Sequence, residues 1–316
     1  MDGLLVIDKP SGPTSHDVVA RVRRALRERR VGHTGTLDPL ATGVLPLVVG
    51  RATRLARFLT ASDKAYDAVI ALGLATDTGD ALGQPIGEPA EGPWPSREAI
   101  ESALDAFRGT RLQQPPAFSA KKIGGHRSHR IARRGRLRSP LEPLAPLAPL
   151  EPLALPVSVT VHALDLVSID GGRVSIRLDC SAGFYVRALA HELGERLGLG
   201  AHLLALRRTR SGDLTLGDAV ALDAVEHDAA LAARALVPLS RMLPALPAMT
   251  LSPEGVERAV HGQDLRPRDT TRGVAAEGTG LPVAPFVRLV DAEGQLVGMA
   301  EPSRTPGFLH PLVVLV

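Results

Sequence analysis

The sequence predicts an α+β fold, with antiparallel strands in its body and a β-rich unit at its C terminus. Three observations carry this expectation. Val174, Ile176, Leu178 and Cys180 alternate with Arg173, Ser175, Arg177 and Asp179, the period of a half-buried antiparallel strand. That run passes through Ser181-Ala182-Gly183 into a segment whose Val186, Leu189, Leu193 and Leu197 share one face of a helix ending near Gly198 and Gly200. Toward the C terminus, Phe286 to Val290 and Gln295 to Ala300 flank Asp291-Ala292-Glu293-Gly294, a hairpin signal.

The remaining elements follow in order. An apolar strand from Gly3 to Ile7 gives way to Asp8-Lys9-Pro10-Ser11-Gly12-Pro13, a loop by composition. Thr14 or Ser15 can cap a helix whose Val18, Val19, Val22 and Leu26 have helical spacing, with the arginines mostly on its other face. Gly32 to Gly50 holds four glycines, the two end points included, and two prolines, and reads as a structured loop rather than a plain element. Residues 66–73 and 157–169, rich in β-branched and aliphatic side chains, read as strands. Arg187 falls at the junction of strand and helix, where side chains point into clefts. Residues 140–156 repeat proline and leucine with period three, a pattern that prevents helix and sheet and suits a surface insertion. Pro238, Pro244 and Pro247 mark a linker, dividing a body at 1–245 from a C-terminal unit at 250–316.

Composition bounds the function. With 44 % apolar and 22 % charged residues the chain has an ordinary globular balance, and at 3 % aromatics each ring beside a polar motif is informative. Met1-Asp2-Gly3 has no basic n-region, and the charge-poor stretch at 143–157 is broken by proline, so neither a signal peptide nor a spanning helix is expected. The single Cys180 excludes an internal disulfide and a multi-cysteine zinc site, and a cytoplasmic, reducing location is the default expectation. Net charge is only +3, yet Arg21, Arg23, Arg24, Arg27, Arg29 and Arg30 cluster in ten residues. Lys121, Lys122, Arg127, Arg130, Arg133, Arg134, Arg136 and Arg138 form a second block without an acid. Such blocks suit a polyanion such as RNA or DNA; a solvated arginine-rich face has the same composition. The only lysines are Lys9, Lys64, Lys121 and Lys122.

No G-x-G-x-x-G follows the first strand and no P-loop lysine is present, so dinucleotide and nucleoside-triphosphate chemistry lack support. Glu195 stands where a zincin helix beginning at His191-Glu192 would need histidine, and His126 and His129 have no third ligand nearby. The informative stretch is Val31-Gly32-His33-Thr34-Gly35-Thr36-Leu37-Asp38-Pro39-Leu40-Ala41-Thr42-Gly43-Val44-Leu45. It presents one acid and one imidazole among glycines, and Pro39 pushes Asp38 out of helical conformation. A carboxylate on such a loop suits nucleophilic or general-base work; an Asx-type turn would use the same residues.

This stretch resembles the uridine-site signature of pseudouridine synthases, in particular their TruB branch. The resemblance extends in order through Gly3-Leu4-Leu5-Val6-Ile7-Asp8-Lys9-Pro10-Ser11-Gly12, Lys64-Ala65-Tyr66 and Gln114-Pro115-Pro116-Ala117-Phe118-Ser119-Ala120-Lys121-Lys122. It continues in Gly183-Phe184-Tyr185-Val186-Arg187 and Leu206-Arg207-Arg208-Thr209. It implies a mixed, largely antiparallel sheet around a central cleft, followed by a small β-barrel PUA-like module that touches the tRNA acceptor end. It implies isomerisation of the T-loop uridine of tRNA (position 55) to pseudouridine, without cofactor or metal, in a chain expected to be a monomer.

Residue by residue, the resemblance makes Asp38 the catalytic carboxylate that attacks the uridine or its sugar, and Arg187 its partner. Tyr66 would stack on the base, and Tyr185 and Leu206 would wall the pocket; edge or core packing are the alternatives for these three. His33 would fill the gap left by the flipped base. Lys9 and Lys64 would contact phosphate or fix loops, while Lys121, Lys122 and Arg130 would touch RNA from a thumb-like loop at 119–139. His129 stands where that loop is expected to carry an aromatic residue, and no second acid in a comparable loop suggests the paired carboxylates of a glycosidase.

Overall fold

The computed structural model describes residues 1–116, 118–119, 122–123, 126–127, 154–273 and 285–316. The body is one mixed sheet built on β1 (Gly3–Lys9), β2 (Val31–His33), β3 (Thr42–Val49), β4 (Lys64–Leu72), β5 (Gly109–Gln113), β6 (Val157–Asp170), β7 (Arg173–Cys180), β8 (Ala201–Ser211) and β9 (Val220–Ala221). Its main path runs β9-β1-β3-β8-β4-β7-β6-β5. Only β9 with β1 and β8 with β3 are parallel along that path. The expected mixed, largely antiparallel sheet is therefore present, and β7 has the bounds that its alternation predicts.

Helix α1 (Ser15–Leu26) begins where the cap was expected. Thr14 accepts from the Asp17 N–H while the Asp17 carboxylate accepts from the Thr14 N–H, a capping box. Val18, Val19 and Val22 are buried against the sheet. Helix α2 (Val186–Arg196) lies in the same core through Val186, Leu189, Ala190 and Leu193.

The reading of Gly32 to Gly50 as a loop needs correction. Eight of its residues form β3, paired with both β1 and β8, and only residues 34–41 are loop. Glycine and proline content misled because β3 is covered on both faces. Leu45, Leu47 and Val49 enter the main core, while Val48 joins a second cluster with Leu4, Met242, Leu296 and Met299. Pro46 keeps its carbonyl in use, accepting from the Thr34 N–H at 3.1 Å. Gly43, at φ 98°, is required by close approach: a Cβ there would lie 2.2 Å from the Arg208 carbonyl oxygen.

The second cluster joins the body to the C-terminal strands. These are β10 (Ala248–Leu251), followed by helix α3 (Pro253–Val260), then β11 (Thr270–Gly273), β12 (Val287–Val290), β13 (Leu296–Pro302) and β14 (Leu309–Val314). The expected hairpin is β12–β13. Among the described residues these strands form a five-stranded sheet in the order β11-β10-β12-β13-β14, without the closure of the expected barrel being seen. Pro238, expected in a linker, instead pairs with Gly3 at the margin of the body sheet. Most of the thumb-like loop and of the 140–156 insertion lies outside the described residues, as do His129, Lys121 and Arg130.

Candidate active site

The loop between β2 and β3 is held from below by side chains that the sequence reading used otherwise or passed over. Ser15, an alternative cap in the sequence, turns inward. Its buried Oγ donates to the Leu37 carbonyl at 2.9 Å and accepts the Leu37 N–H at 2.8 Å. The Gly12 N–H donates to the Pro39 carbonyl at 2.9 Å, and the Ala41 N–H closes a turn on the Asp38 carbonyl at 3.0 Å. Arg208, 1 % exposed, donates from Nε to the Val44 carbonyl at 2.7 Å and from Nη2 to the Gly35 carbonyl at 3.2 Å.

Lys9 completes this support. It is 0 % exposed, and its ammonium donates to the carbonyls of Pro10 (2.9 Å), Pro39 (3.3 Å) and Ala41 (2.7 Å). Its three hydrogens are committed to the loop, so a phosphate cannot reach them without unpacking the site. Lys64 is similar: buried, it donates to the Thr60 carbonyl at 2.9 Å and to the Ser62 carbonyl. Of the two roles expected for these lysines, the geometry supports loop fixing. Lys122 lies in a two-residue strand paired with residues 126–127.

Asp38 thus sits on an anchored loop, with 36 % of its side chain exposed, while one oxygen is held from behind. Arg187 Nε donates to Asp38 Oδ2 at 2.9 Å, and the arginine side chain is 7 % exposed. Its Nη1 donates to the Thr78 carbonyl and its Nη2 to the Phe118 carbonyl, both at 2.8 Å. A second acid, absent from the sequence expectation, approaches the same guanidinium. Asp80 Oδ2 lies 3.8 Å from Arg187 Nε, and Asp80 Oδ1 accepts from Thr78 Oγ1 and the Leu82 N–H. The signal available was the turn-rich Thr76-Asp77-Thr78-Gly79-Asp80; nothing local in it points to Arg187.

The expected pocket residues gather nearby. Tyr66 is buried on β4, opposite Leu178 and Arg208 on the flanking strands, and its hydroxyl hydrogen bonds the Arg208 side chain. Burial pushes its phenol pKa up, and the Asp38 charge adds to the rise. Tyr185, at the start of α2, is half-buried, and burial raises its phenol pKa too, against a hydrogen bond with the Ser119 side chain. Its backbone is clamped by Gln113, a buried residue without a role in the sequence reading. The Gln113 amide donates to the Tyr185 carbonyl at 3.0 Å, and its oxygen accepts the Tyr185 N–H at 2.8 Å. Leu206 belongs to the main hydrophobic core. His33 meets His16 of α1 edge to face, with ring centroids 5.2 Å apart.

Chemically, the arrangement offers a partly open carboxylate, fixed in direction by a buried guanidinium and near enough to both phenols for its charge to act on them. Among the described residues no group of three metal-ligating side chains occurs, and no helix is long and apolar enough to cross a membrane.

Two predictions follow from the loop's supports. Ser15→Ala leaves both backbone groups of Leu37 unpaired, a cost of about 1–3 kcal/mol by urea unfolding. Because Leu37 precedes Asp38, turnover is expected to fall roughly tenfold with little change in KM; unchanged turnover would remove Ser15 from the support. The second concerns pH. Burial brings both Lys9 and Lys64 down to about 8, from an ordinary value of 10.5. Between those values the unfolded chain binds more protons than the folded one, so each lysine contributes stability that rises with pH across the window. The unfolding free energy of the native protein minus that of Lys9→Met is expected to increase from about pH 8 to about pH 10. A flat or falling difference would contradict the buried ammonium.

Known proteins match the chain along its length. Residues 23–186 match the family model described as TruB family pseudouridylate synthase (N terminal domain), and residues 187–245 match that of the tRNA pseudouridylate synthase B C-terminal domain. The chain is 41% identical over 320 residues to the tRNA pseudouridine synthase B of Solibacter usitatus, covering 100% of both. It is 42% identical over 305 residues to that of Geobacter sulfurreducens, covering 95% of this chain and 93% of the relative. Among solved structures it resembles a chain of a Cbf5-Nop10-Gar1 complex, with TM-score 0.71, 25% identity and coverage of 99% of this chain and 85% of that one. A chain of an H/ACA RNP bound to a substrate RNA containing 2'-deoxyuridine has the same fold, with TM-score 0.70, 24% identity and the same coverage.

Proposed function

The chain belongs to the TruB family of pseudouridylate synthases, and from that premise we propose that it converts the T-loop uridine of tRNA to pseudouridine with Asp38 as nucleophile. The observation that carries this reading is the Arg187–Asp38 pair, which directs an accessible carboxylate from an anchored loop. The substrate class rests on the relatives, which are named as tRNA pseudouridine synthases.

In this reading the target nucleotide leaves its stack, at a cost of a few kcal/mol, and enters the cleft. His33, steadied by His16, takes the vacated place. Tyr66 and Tyr185 border the base, and Leu206 contributes apolar surface at the pocket floor. Asp38 attacks the nucleotide, and the bond between C1′ and N1 breaks. The base rotates, C1′ bonds to C5 as the bond to Asp38 breaks and frees the carboxylate, the hydrogen on C5 leaves to water as a proton, and N1 takes up a proton in exchange. Atoms and electrons balance without a redox partner, so the chemistry needs no cofactor. Anchoring of the carboxylate by the buried network supplies orientation before the substrate arrives. Lys121, Lys122 and Arg130 contact the RNA backbone from the thumb-like loop. The C-terminal sheet acts as a PUA-like module on the acceptor end, and the chain works as a monomer.

Mapping by carbodiimide treatment and primer extension tests the assignment. Pseudouridine retains the adduct and stops the polymerase. A new stop at the T-loop uridine of an unmodified tRNA transcript supports the reading, and a stop elsewhere or none overturns it.

A further inference from the structure

The arginine block at 21–30 has no part in the site described above. Three of its members are occupied. Arg21 pairs with Glu226 at 3.6 Å, Arg30 with Glu28 at 3.7 Å, and Arg23 Nη2 donates to the Val31 carbonyl at 2.6 Å. Arg24, Arg27 and Arg29 are exposed, and among the described residues none of their side chains has an ion pair or hydrogen bond. These three, with Arg23, Ala20 and Glu28, line a wide surface hollow of about 550 Å³. The one acid in the hollow, Glu28, has a partner of its own, its Oε1 accepting the Arg30 N–H at 2.9 Å.

Arg27 supplies a second, independent observation. It closes α1 at φ 51°, in the left-handed region. The Glu28 N–H returns to the Arg23 carbonyl and the Arg27 N–H to the Arg24 carbonyl, the bonds of a Schellman motif. Glycine is the residue that takes this position without strain. Complementing the helix dipole does not explain an arginine here, because Arg23 and Arg24 already lie in the last turn. The side chain is kept where the backbone would favour its absence.

The hollow also lies close to His33 along the chain. Arg29 precedes His33 by four residues, so at about 3.3 Å per residue it lies at most about 13 Å from the histidine, a distance a few nucleotides span. We propose that Arg24, Arg27 and Arg29 form a phosphate subsite for the tRNA backbone beside the point where His33 enters the stack. This rests on the tRNA reading above. The guanidiniums fit phosphate oxygens through paired N–H groups, and each contact releases condensed counterions.

The test measures binding of a T-arm transcript to the full chain across a salt series, beside thermal unfolding and isomerisation. Arg24→Gln with Arg29→Gln is expected to reduce the slope of log K against log salt by about 1.5. Arg27→Gly is the sharper variant: its melting temperature is expected to rise by about 2 °C while RNA affinity falls about threefold. A raised melting temperature with unchanged affinity and slope overturns the subsite, and a lowered one assigns Arg27 a structural role and overturns it too. Native protein that isomerises the transcript while these variants bind normally defeats only the subsite; native protein that does not isomerise it defeats the tRNA reading instead.

Discussion

Asp38→Asn is expected to lower single-turnover isomerisation by at least about 10⁴-fold while leaving RNA affinity and unfolding temperature near their native values. Asparagine has the shape of aspartate, and its amide oxygen can still accept from Arg187 Nε, which lies 2.9 Å from the carboxylate in the native protein. The loop is held by Ser15, Lys9, Gly12 and Arg208 through backbone groups, none of which involves the Asp38 side chain. The variant therefore changes nucleophilicity without releasing the loop. Residual turnover above about a tenth of native would move the nucleophile elsewhere.

Arg187→Met is expected to have the next largest effect, on stability as well as turnover. The guanidinium satisfies Asp38 and two carbonyls directly and lies 3.8 Å from buried Asp80. Methionine fills a similar volume but leaves those acceptors unpaired. Breaking a buried pair costs about 3–5 kcal/mol; with Asp38 partly exposed, solvent screening brings the expected loss to about 2–3 kcal/mol. Turnover is expected to fall about 10²–10³-fold, the scale set by losing one preorganised donor. Arg187→Lys restores little, since one ammonium cannot reproduce the planar fork that spans Asp38, Thr78 and Phe118. Urea unfolding and single-turnover rates check both parts, and native-like turnover in Arg187→Met would detach the pair from catalysis.

Elements governed by local pattern were legible. The alternation at 173–180 set the bounds of β7, and the choice of Thr14 or Ser15 as cap placed the start of α1 to within one residue. Arg187 could be placed at a strand-to-helix junction because the helical spacing begins beside it. What was missed depends on contacts distant in sequence. Lysine is exposed by default, and only the fold brings Ala41 and Pro39 to the Lys9 ammonium. Asp80 reads locally as a turn residue, which it also is, through Thr78 and Leu82. Ser15 and Thr14 are equivalent as caps in the sequence, and packing against Leu37 separates them. β3 was hidden because a strand buried on both faces has no alternation to reveal it.

The most direct test uses a T-arm transcript carrying tritium at C5 of the T-loop uridine alone. Formation of the new carbon–carbon bond expels that hydrogen, so radioactivity in water counts each isomerisation. The native protein is expected to release one equivalent per transcript, and Asp38→Asn none above background. Native protein that binds the transcript and leaves the label in place would contradict the assigned reaction, and release by Asp38→Asn at the native rate would contradict the role of Asp38.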